Sequence, residues 1–247
     1  MKISVTILLN GSPPYINQIV KALRGFDEVL IYDNKASEES LFTCRLYPNV
    51  TIISGPFIGF GPMHNQASDR AKNEWILSLD SDEIPSSALI EEIQKTPLDP
   101  NCVYSIPRRN FYNGKWIRGN GWWPDYALRL YNKRYTQFSN AQVHESLETK
   151  KMHVITLKNC LEHYSYHSIS DFLTKMQAYS SLFAKEWKGK KRSSPCKAAL
   201  HGFFAFFKSY ILKLGIRDGY EGFLISAYNG HTAFYKYLKL YEANLVH

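Results

Sequence analysis

The sequence is poor in cysteine and has no long uncharged apolar run. Its four cysteines lie far apart in 247 residues and form no pair with metal-binding spacing. Such thiols are typical of a reduced, cytoplasmic protein and argue against a disulfide framework built on Cys44, Cys102, Cys160 and Cys196. No apolar run reaches the ~18 residues needed to span a bilayer. The first apolar run ends at Asn10, so we expect a strand there and not a secretory signal.

Glycine-rich phosphate loops are also missing. No Gly-x-Gly-x-x-Gly opens the first predicted helix, and the chain has no Walker lysine loop. These absences argue against a hydride-transferring dehydrogenase and against an ATPase. The sequence has no recognised nucleic-acid-binding motif, internal repeat or low-complexity tract. Its length and its 45% hydrophobic content fit one globular domain with an appendage.

Acidic residues are scarce in the last 98 residues, where the whole surplus of positive charge lies. Residues 1–149 carry 15 Lys+Arg and 16 Asp+Glu, whereas residues 150–247 carry 15 and 6. The net charge of +8 therefore belongs to the C-terminal part. A basic surface of this kind favours an anionic partner. The candidates are a phospholipid leaflet, a phosphorylated acceptor and a nucleic acid.

Strand patterns alternate with helix patterns over the first 95 residues. Predicted strands cover residues 3–9, 28–32, 50–53 and 75–79, with predicted helices between them. This alternation predicts an α/β fold with a mostly parallel sheet flanked by helices. Ligands of such sheets bind outside the carboxyl ends of the strands. The residues that follow three of these strands are polar and are expected at one sheet edge: Asn10, Asp33 and Asp80.

The stretch Trp75–Glu83 is an apolar run that ends in three carboxylates. The run predicts a strand buried on both faces, which places Asp80, Asp82 and Glu83 where the chain leaves the sheet. Asp80 and Asp82 are two residues apart, so in an extended chain they point to the same side. Such a pair suits a hard divalent cation, Mg²⁺ or Mn²⁺, that carries phosphate oxygens. The alternative is a solvated acidic turn with Ser81 and Glu83 at the start of a helix.

A polar and aromatic segment follows residue 107. The Asn113-Gly114 pair is a hairpin signal between aromatic arms. The glycine-rich loop after it carries Trp122, Trp123 and Asp125, which together predict a wall for a ring-shaped ligand. A structural aromatic turn is the alternative. His144 lies further on, and both a ligand role and an ordinary core or surface position remain open for it.

Aromatic and basic residues dominate the C-terminal part. Large apolar residues at helical spacing predict a helix capped by Ser170, followed by a basic break and two further helices. We expect a catalytic domain over residues 1–168 and a helical extension over residues 169–247. Aromatic helices that carry lysines fit an interfacial membrane segment, and they equally fit two helices packed on each other.

Taken in order, these motifs resemble glycosyltransferase family 2, the inverting enzymes with the GT-A fold. The resemblance is carried by Trp75–Glu83, Ser105–Arg109, Gly121–Tyr131, Val143–Ser146 and His163–Tyr166. With the aromatic, basic C-terminus, the chain is similar to bacterial lipopolysaccharide and lipooligosaccharide core β-glucosyltransferases. The resemblance implies a Rossmann-like GT-A domain and transfer of glucose from UDP-glucose to an inner-core or similar glycolipid acceptor. It also implies a peripheral location on the inner face of the cytoplasmic membrane.

The resemblance further implies roles for individual residues. A divalent cation on the donor diphosphate would be held by Asp80, Asp82 and His144, and Asp125 would be the general base. The residues implied to contact the nucleotide sugar are Asn10, Asp33, Asn65, Ser81, Gly119 and Gly121. The residues implied to contact the acceptor are Arg108, Arg109, Trp122, Trp123, Arg129 and Glu145. An anionic membrane surface is expected as a partner, and a nucleic acid is not.

Two departures from the family pattern lie in the nucleotide-binding half. Asn10-Gly11 stands where the family usually has Asn-Glu, and residues 34–38 replace the usual Ser-Gly-Ser-Thr-Asp. Because of these two departures, the identities of the donor nucleotide and of its sugar stay open. The other functions considered are a glycosyltransferase for another surface polysaccharide, a nucleotidyltransferase with an acidic metal pair, a basic nucleic-acid-binding module and a structural membrane-surface protein.

Overall fold

The chain divides into two units that interleave along the sequence. The computed structural model describes residues 2–140 and 146–245. One unit, here the sheet unit, contains Met1–Arg108 and Tyr126–His163. The other, the helical unit, contains Arg109–Asp125 and Tyr164–His247. The sequence led us to expect one boundary after residue 168. In the structure, residues 109–125, which include the end of β6 and all of β7, group with the C-terminal helices.

Parallel strands form the first half of the sheet, and the second half is mixed. The described strands run in the order β3-β2-β1-β4-β8-β6-β10-β5, with β7 and β9 also paired to β6. β1, β2, β3 and β4 pair in parallel, whereas β8 is antiparallel to β4 and to β6. The strand bounds are β1 Ile3–Gly11, β2 Glu28–Ala36, β3 Val50–Ser54, β4 Trp75–Asp80, β5 Glu83–Pro85, β6 Cys102–Tyr112, β7 Lys115–Trp116, β8 Tyr126–Asn132, β9 His153–Thr156 and β10 Leu161–His163. The predicted α/β sheet is confirmed.

Helices cover both faces of the sheet because its central strands are apolar on both sides. Side chains alternate along a strand, so Ile31 of β2 joins one core with α1, α2 and α4, and Leu30 joins another core with α3. Serine side chains cap two of these helices, since Ser37 and Ser86 accept hydrogen bonds from backbone amides in the first turns of α2 and α4. The helix bounds are α1 Ile16–Ala22, α2 Glu38–Arg45, α3 Phe60–Arg70 and α4 Ser87–Lys95.

Three helices and a hairpin loop build the described part of the helical unit. The helices are α5 Ile169–Trp187, α6 Pro195–Phe207 and α7 Gly219–Leu245, and a π-helical turn at Lys208–Leu212 extends α6. The predicted cap of α5 is wrong by two residues. Ser168 and Asp171 form a reciprocal capping box, which leaves Ser170 inside the first turn. In the described residues, no helix is both long and apolar enough to cross a membrane.

Candidate active site

The carboxyl ends of β1, β2 and β4 bring three predicted residues to one edge of the sheet. Leu8 of β1 lies opposite Asp80 of β4, and Leu9 lies opposite Asp33 of β2. Asn10 follows directly and is exposed. The Asp33 carboxylate accepts hydrogen bonds from the Ala36 amide at 2.8 Å and from the Ser54 hydroxyl at 3.0 Å. The edge is therefore polar and partly open, as the strand pattern predicts.

The buried side chains of Glu83 and Arg129 form hydrogen bonds that hold Asp80 in place. Glu83 has no exposed surface, and it lies in β5 rather than in the helix that the alternative interpretation required. The Oε1 atom of Glu83 accepts hydrogen bonds from Arg129 at 2.6 Å and from Arg108 at 3.1 Å. Arg129, which is 7% exposed, also donates to Oδ2 of Asp80. The second Glu83 oxygen accepts from the Asp80 amide at 3.1 Å, so Glu83 holds both the backbone and the counter-ion of Asp80.

Arg129 and Asp80 hold each other in their charged forms. Burial acts to lower the pKa of the Arg129 guanidinium, but the carboxylates of Asp80 and Glu83 raise it above its ordinary value. Burial acts in the opposite sense on Asp80, where the neighbouring positive charges, Arg129 first, hold the pKa below its usual range. The sequence suggested that Arg129 contacts the acceptor. Its contacts are instead those of a buried counter-ion of the acidic stretch.

The Asp82 carboxylate has no arginine partner among the described ion pairs, whereas those of Asp80 and Glu83 do. Burial raises the pKa of its carboxyl, and the charges of Asp80 and Glu83 add to the rise. The His163 ring opposes it, with Nε2 at 3.6 Å from Oδ1 of Asp82. Three carboxylates lie with two arginines and the His163 ring in this cluster, so the carboxylates outnumber the arginines by one. The Asp82 side chain is one-third exposed, which leaves its oxygens accessible to a cation.

The predicted set of metal ligands is only partly described. Asp80 and Asp82 lie in the cluster, whereas His144 and the predicted acceptor residue Glu145 lie outside the described residues. Within the described ranges, no group of three His, Cys, Asp or Glu side chains is arranged to hold a metal ion. Ser81 is half-buried in the turn between the two aspartates. The described donors are thus two carboxylates at the end of β4.

Asn65 and its neighbour His64 are occupied with contacts inside the sheet unit. The Asn65 amide donates to the Phe138 carbonyl and accepts from the Phe138 amide, both at 2.9 Å. The His64 ring is buried, stacks on Phe138 and lies 3.0 Å from the Ser78 hydroxyl through Nδ1. Burial lowers the pKa of His64 to about 4, so the ring is neutral at pH 7. Asn65 was predicted to contact the nucleoside, but the structure gives it the role of bracing the chain at Phe138.

A pocket in the helical unit contains the predicted general base. The pocket has a volume of about 280 Å³ and is lined by Asn110, Gly121, Trp122, Asp125, Ser165 and Tyr166. Oδ2 of Asp125 accepts a hydrogen bond from the Asn110 amide at 3.0 Å. The same amide donates to the Trp122 carbonyl at 2.9 Å, which ties the tryptophan loop to the aspartate. A half-buried carboxylate held in one orientation is suited to accept a proton from a hydroxyl group.

Aromatic rings stack beside this pocket, and others in the same unit lie against arginines. The Trp122 ring stacks on Tyr166 with a centroid distance of 5.6 Å. Trp116 lies against the guanidinium groups of Arg109 and Arg118, at 4.8 and 4.3 Å from its centroid, and Trp123 meets it edge-on at 5.2 Å. Arg109 and Arg118 are exposed, so their charges face solvent above an aromatic plane. Arg108 differs, because it pairs with Glu83 in the sheet unit.

Buried polar groups of the C-terminal helices hold the tryptophan loop. Asp218 accepts hydrogen bonds from the amides of Arg118 at 3.1 Å and Gly119 at 2.6 Å. Asn120 is in a left-handed conformation with φ of 59°, and its Nδ2 atom lies within hydrogen-bonding distance of the Ser209 and Ser226 hydroxyls and the Gly222 carbonyl. Gly119 is buried, and a Cβ atom there would lie 2.5 Å from a backbone oxygen. Gly119 therefore shapes the loop, whereas the exposed Gly121 lines the pocket.

The Asp218 anchor leads to a prediction about stability. Asp218→Ala leaves two loop amides without their acceptor, and we expect the free energy of unfolding to fall by about 2–4 kcal/mol. Sugar transfer should fall with it, because the loop carries Trp122 and leads to Asp125. Urea denaturation measures the first effect. Glu221→Ala is the matched control, since Glu221 makes partly exposed contacts with Asn113 and Lys115, and its loss should cost under about 1 kcal/mol. Equal losses in the two variants would contradict the anchor.

Several residues of the site could not be recognised from the sequence. Glu83 was visible only as the third acid of the stretch, and its buried pairing with Arg129 joins positions 46 residues apart. Asn110 and Asp218 had no local signal, because their partners lie 15 and about 100 residues away. In the sequence these residues cannot be told from ordinary polar residues, because their partners are distant along the chain.

Comparison with known proteins identifies the family. The model of the family described as Glycosyl transferase family 2 matches residues 4–153. An uncharacterised glycosyltransferase of Rickettsia typhi is 26% identical over 259 residues, an alignment that covers 99% of this chain and 88% of the relative. One of Rickettsia felis is 26% identical over 262 residues, covering 99% and 91%.

A solved structure agrees with the fold. The mannosyltransferase PcManGT of Pyrobaculum calidifontis, solved with GDP-Man and Mn²⁺, superposes with a TM-score of 0.54 at 13% identity. The superposition covers 99% of this chain and 87% of that one. This likeness concerns the fold alone, while the family model spans more than half of the chain. The chain belongs to glycosyl transferase family 2 and is a glycosyltransferase with the GT-A fold.

Proposed function

We propose that this glycosyltransferase moves glucose from UDP-glucose, with inversion and with a divalent cation, to a lipopolysaccharide inner-core or similar glycolipid. The observation that carries the proposal is the cluster of Asp80, Asp82 and Glu83 at the carboxyl end of β4, in which the carboxylates outnumber their arginine partners. In a family 2 chain, such a cluster suits the cation that accompanies a nucleoside diphosphate. The motif resemblance supports the sugar and the acceptor.

The donor set fits a hard divalent cation. Asp82 is one-third exposed, and burial together with the neighbouring carboxylates of Asp80 and Glu83 raises its pKa, so a cation at this position would stabilise its ionised form. Asp82 and Asp80 would hold the metal, with His144 as the third ligand. When bound, the metal neutralises the charge that develops on the departing nucleoside diphosphate. Arg129 and Glu83 then act as the fixed support that keeps Asp80 ionised and in place.

Asp125 is the proposed general base. Inversion in one displacement needs a carboxylate that takes the proton of the attacking acceptor hydroxyl. The Asn110 amide fixes one oxygen of Asp125 and leaves the carboxylate facing the pocket that Gly121 and Trp122 line. A sugar ring in that pocket has the Trp122 and Tyr166 rings beside it.

The remaining contacts are assigned from the exposure and partners of each residue. Asn10, Asp33 and Ser81 stay as donor contacts at the sheet edge, whereas Asn65 and Gly119 become structural. Trp123 and Arg109 stay as acceptor contacts, because Arg109 exposes a charge that can meet a phosphate of a glycolipid core. Arg108 and Arg129 become counter-ions of Glu83. The aromatic, basic C-terminus supports a location on the inner face of the cytoplasmic membrane.

The metal assignment is tested by donor binding to Asp82→Asn. We expect this variant to bind UDP-glucose at least about tenfold more weakly than the wild type in the presence of Mn²⁺, because a neutral amide is a poor ligand for a hard cation. Isothermal titration with and without EDTA measures the difference. Asp69→Asn removes an exposed carboxylate from α3 and should behave as the wild type. Equal Mn²⁺-dependent binding in all three proteins would remove Asp82 from the metal site.

A further inference from the structure

Helix α6 packs with its small residues inward and its large apolar residues outward. Ala198 and Gly202 are buried, and a Cβ atom added to Gly202 would lie 3.1 Å from the Gly230 carbonyl of α7. The two helices therefore approach closely through glycine. Phe203 and Phe204 are 62% and 61% exposed in the whole chain, the reverse of the usual orientation of a packed helix. Phe206 packs against α7, whereas close packing of the two helices does not account for Phe203 and Phe204.

The exposed apolar residues form one continuous face. We call it the outer face of α6, and its members are Leu200, Phe203, Phe204, Phe207 and, in the π-helical turn, Ile211 and Leu212. Leu200, Phe203, Phe204, Phe207 and Ile211 recur at intervals of three and four positions, so they lie on one side of the helix, and Leu212 follows Ile211 in the π-helical turn. An apolar groove of about 440 Å³ between α6 and α7 adjoins this face and shares Phe203 with it. Contiguous exposed patches of this kind mark an interaction surface.

The charge around the outer face indicates what it binds. Residues 195–217 contain Lys197, Lys208, Lys213 and Arg217 and no aspartate or glutamate. Lys208, Lys213 and Arg217 are exposed. Aromatic and aliphatic side chains bordered by cations are suited to the interface of an anionic bilayer, where rings enter the acyl boundary and cations meet phosphate.

We propose that the outer face of α6 docks on the surface of an anionic phospholipid bilayer, with the adjoining groove offering further apolar area to lipid chains. The docking brings the enzyme to the leaflet that holds a lipid-linked acceptor, and in that respect it rests on the proposed function. Its test does not use sugar transfer. A failure of docking would leave the transferase proposal standing, and a failure of transfer would leave docking standing.

Vesicle sedimentation tests the docking directly. The full chain is mixed with phosphatidylcholine vesicles, with or without phosphatidylglycerol, and the bound fraction is measured. We expect binding to the anionic vesicles, weakened at least about tenfold in Phe203→Ser/Phe204→Ser because two rings no longer leave water. Lys208→Ala should weaken binding about fivefold on anionic vesicles and leave binding to neutral vesicles unchanged.

The matched control removes equally exposed apolar residues elsewhere. Phe42→Ser/Leu46→Ser changes side chains that are 63% and 64% exposed in the sheet unit, and it should bind vesicles as the wild type does. Thermal unfolding checks that both double variants fold. Docking is refuted if the wild type does not sediment with anionic vesicles, or if both double variants bind equally. A wild-type dimer that Phe203→Ser/Phe204→Ser dissociates, without vesicle binding, would assign the face to a second copy and also overturn the proposal.

Discussion

Asp125→Asn is expected to lower kcat for sugar transfer by roughly 10²–10⁴-fold, the contribution typical of a positioned general base. The amide has nearly the shape of the carboxylate, and its oxygen can still accept the hydrogen bond from Asn110. The loop and the pocket should therefore remain intact. What is lost is the capacity to take a proton from the acceptor hydroxyl. Steady-state transfer to a glycolipid acceptor measures the effect.

Two further measurements separate a lost base from a lost fold or a lost donor site. UDP-glucose binding to Asp125→Asn should match the wild type, since the donor contacts proposed above lie in the sheet unit. Glu186→Gln, which neutralises an exposed carboxylate on α5, should keep wild-type turnover. If Asp125→Asn turns over at a rate near that of the wild type, Asp125 is not the general base. Loss of donor binding in parallel with kcat would instead make Asp125 a donor contact.

Arg129→Met is expected to reduce the free energy of unfolding by about 3–5 kcal/mol, the largest loss that we predict for the sheet unit. The substitution leaves the fully buried Glu83 without its closest counter-ion and removes the partner of Asp80. Arg108 remains at 3.1 Å from Glu83, so part of the compensation survives. Urea denaturation followed by circular dichroism gives the change.

A surface ion pair and a double variant provide the controls. Arg134 pairs with Glu74 at 2.7 Å, but the two side chains are 69% and 47% exposed, so Arg134→Met should cost at most about 1 kcal/mol. Adding Glu83→Gln to Arg129→Met should recover part of the loss, because the unpaired buried charge is gone. If Arg129→Met lowers the free energy of unfolding no more than Arg134→Met does, the ion pairs of Arg129 with Asp80 and Glu83 do not support the acidic stretch as described.

The sheet could be predicted because its signals are local. The run from Trp75 to Leu79 is apolar at every position but Ser78, so a strand buried on both faces followed directly. The N-terminal caps of α2 and α4 are also local, because Ser37 and Ser86 accept hydrogen bonds from amides within one turn. The Asn113-Gly114 hairpin signal is also local, and β6 runs on to Tyr112 because Phe111 and Tyr112 pair with β7 across that turn.

The support of the site could not be predicted because its partners are distant in sequence. Arg129 lies in β8, and its partners Asp80 and Glu83 are 49 and 46 residues away in sequence, so no local pattern indicates the ion pairs. Asp218 accepts from the Gly119 amide across 99 residues, and Asn120 contacts the Ser209 and Ser226 hydroxyls across 89 and 106 residues. The cap at Ser168 was missed for a smaller reason. Two serines stand two residues apart, and the position of Asp171 decides between them.

The most direct test of the account is metal-dependent release of a nucleoside diphosphate by the purified full chain. The protein is supplied with UDP-, GDP- and ADP-sugars, with Mg²⁺ or Mn²⁺, with glycolipid extract as acceptor, and with or without EDTA. The account predicts release of UDP from UDP-glucose, abolished by EDTA and coupled to glucose transfer with inversion. Release from a different donor would correct the sugar and keep the mechanism. Undiminished release in EDTA, or no release from any donor, would contradict the proposed metal site at the end of β4.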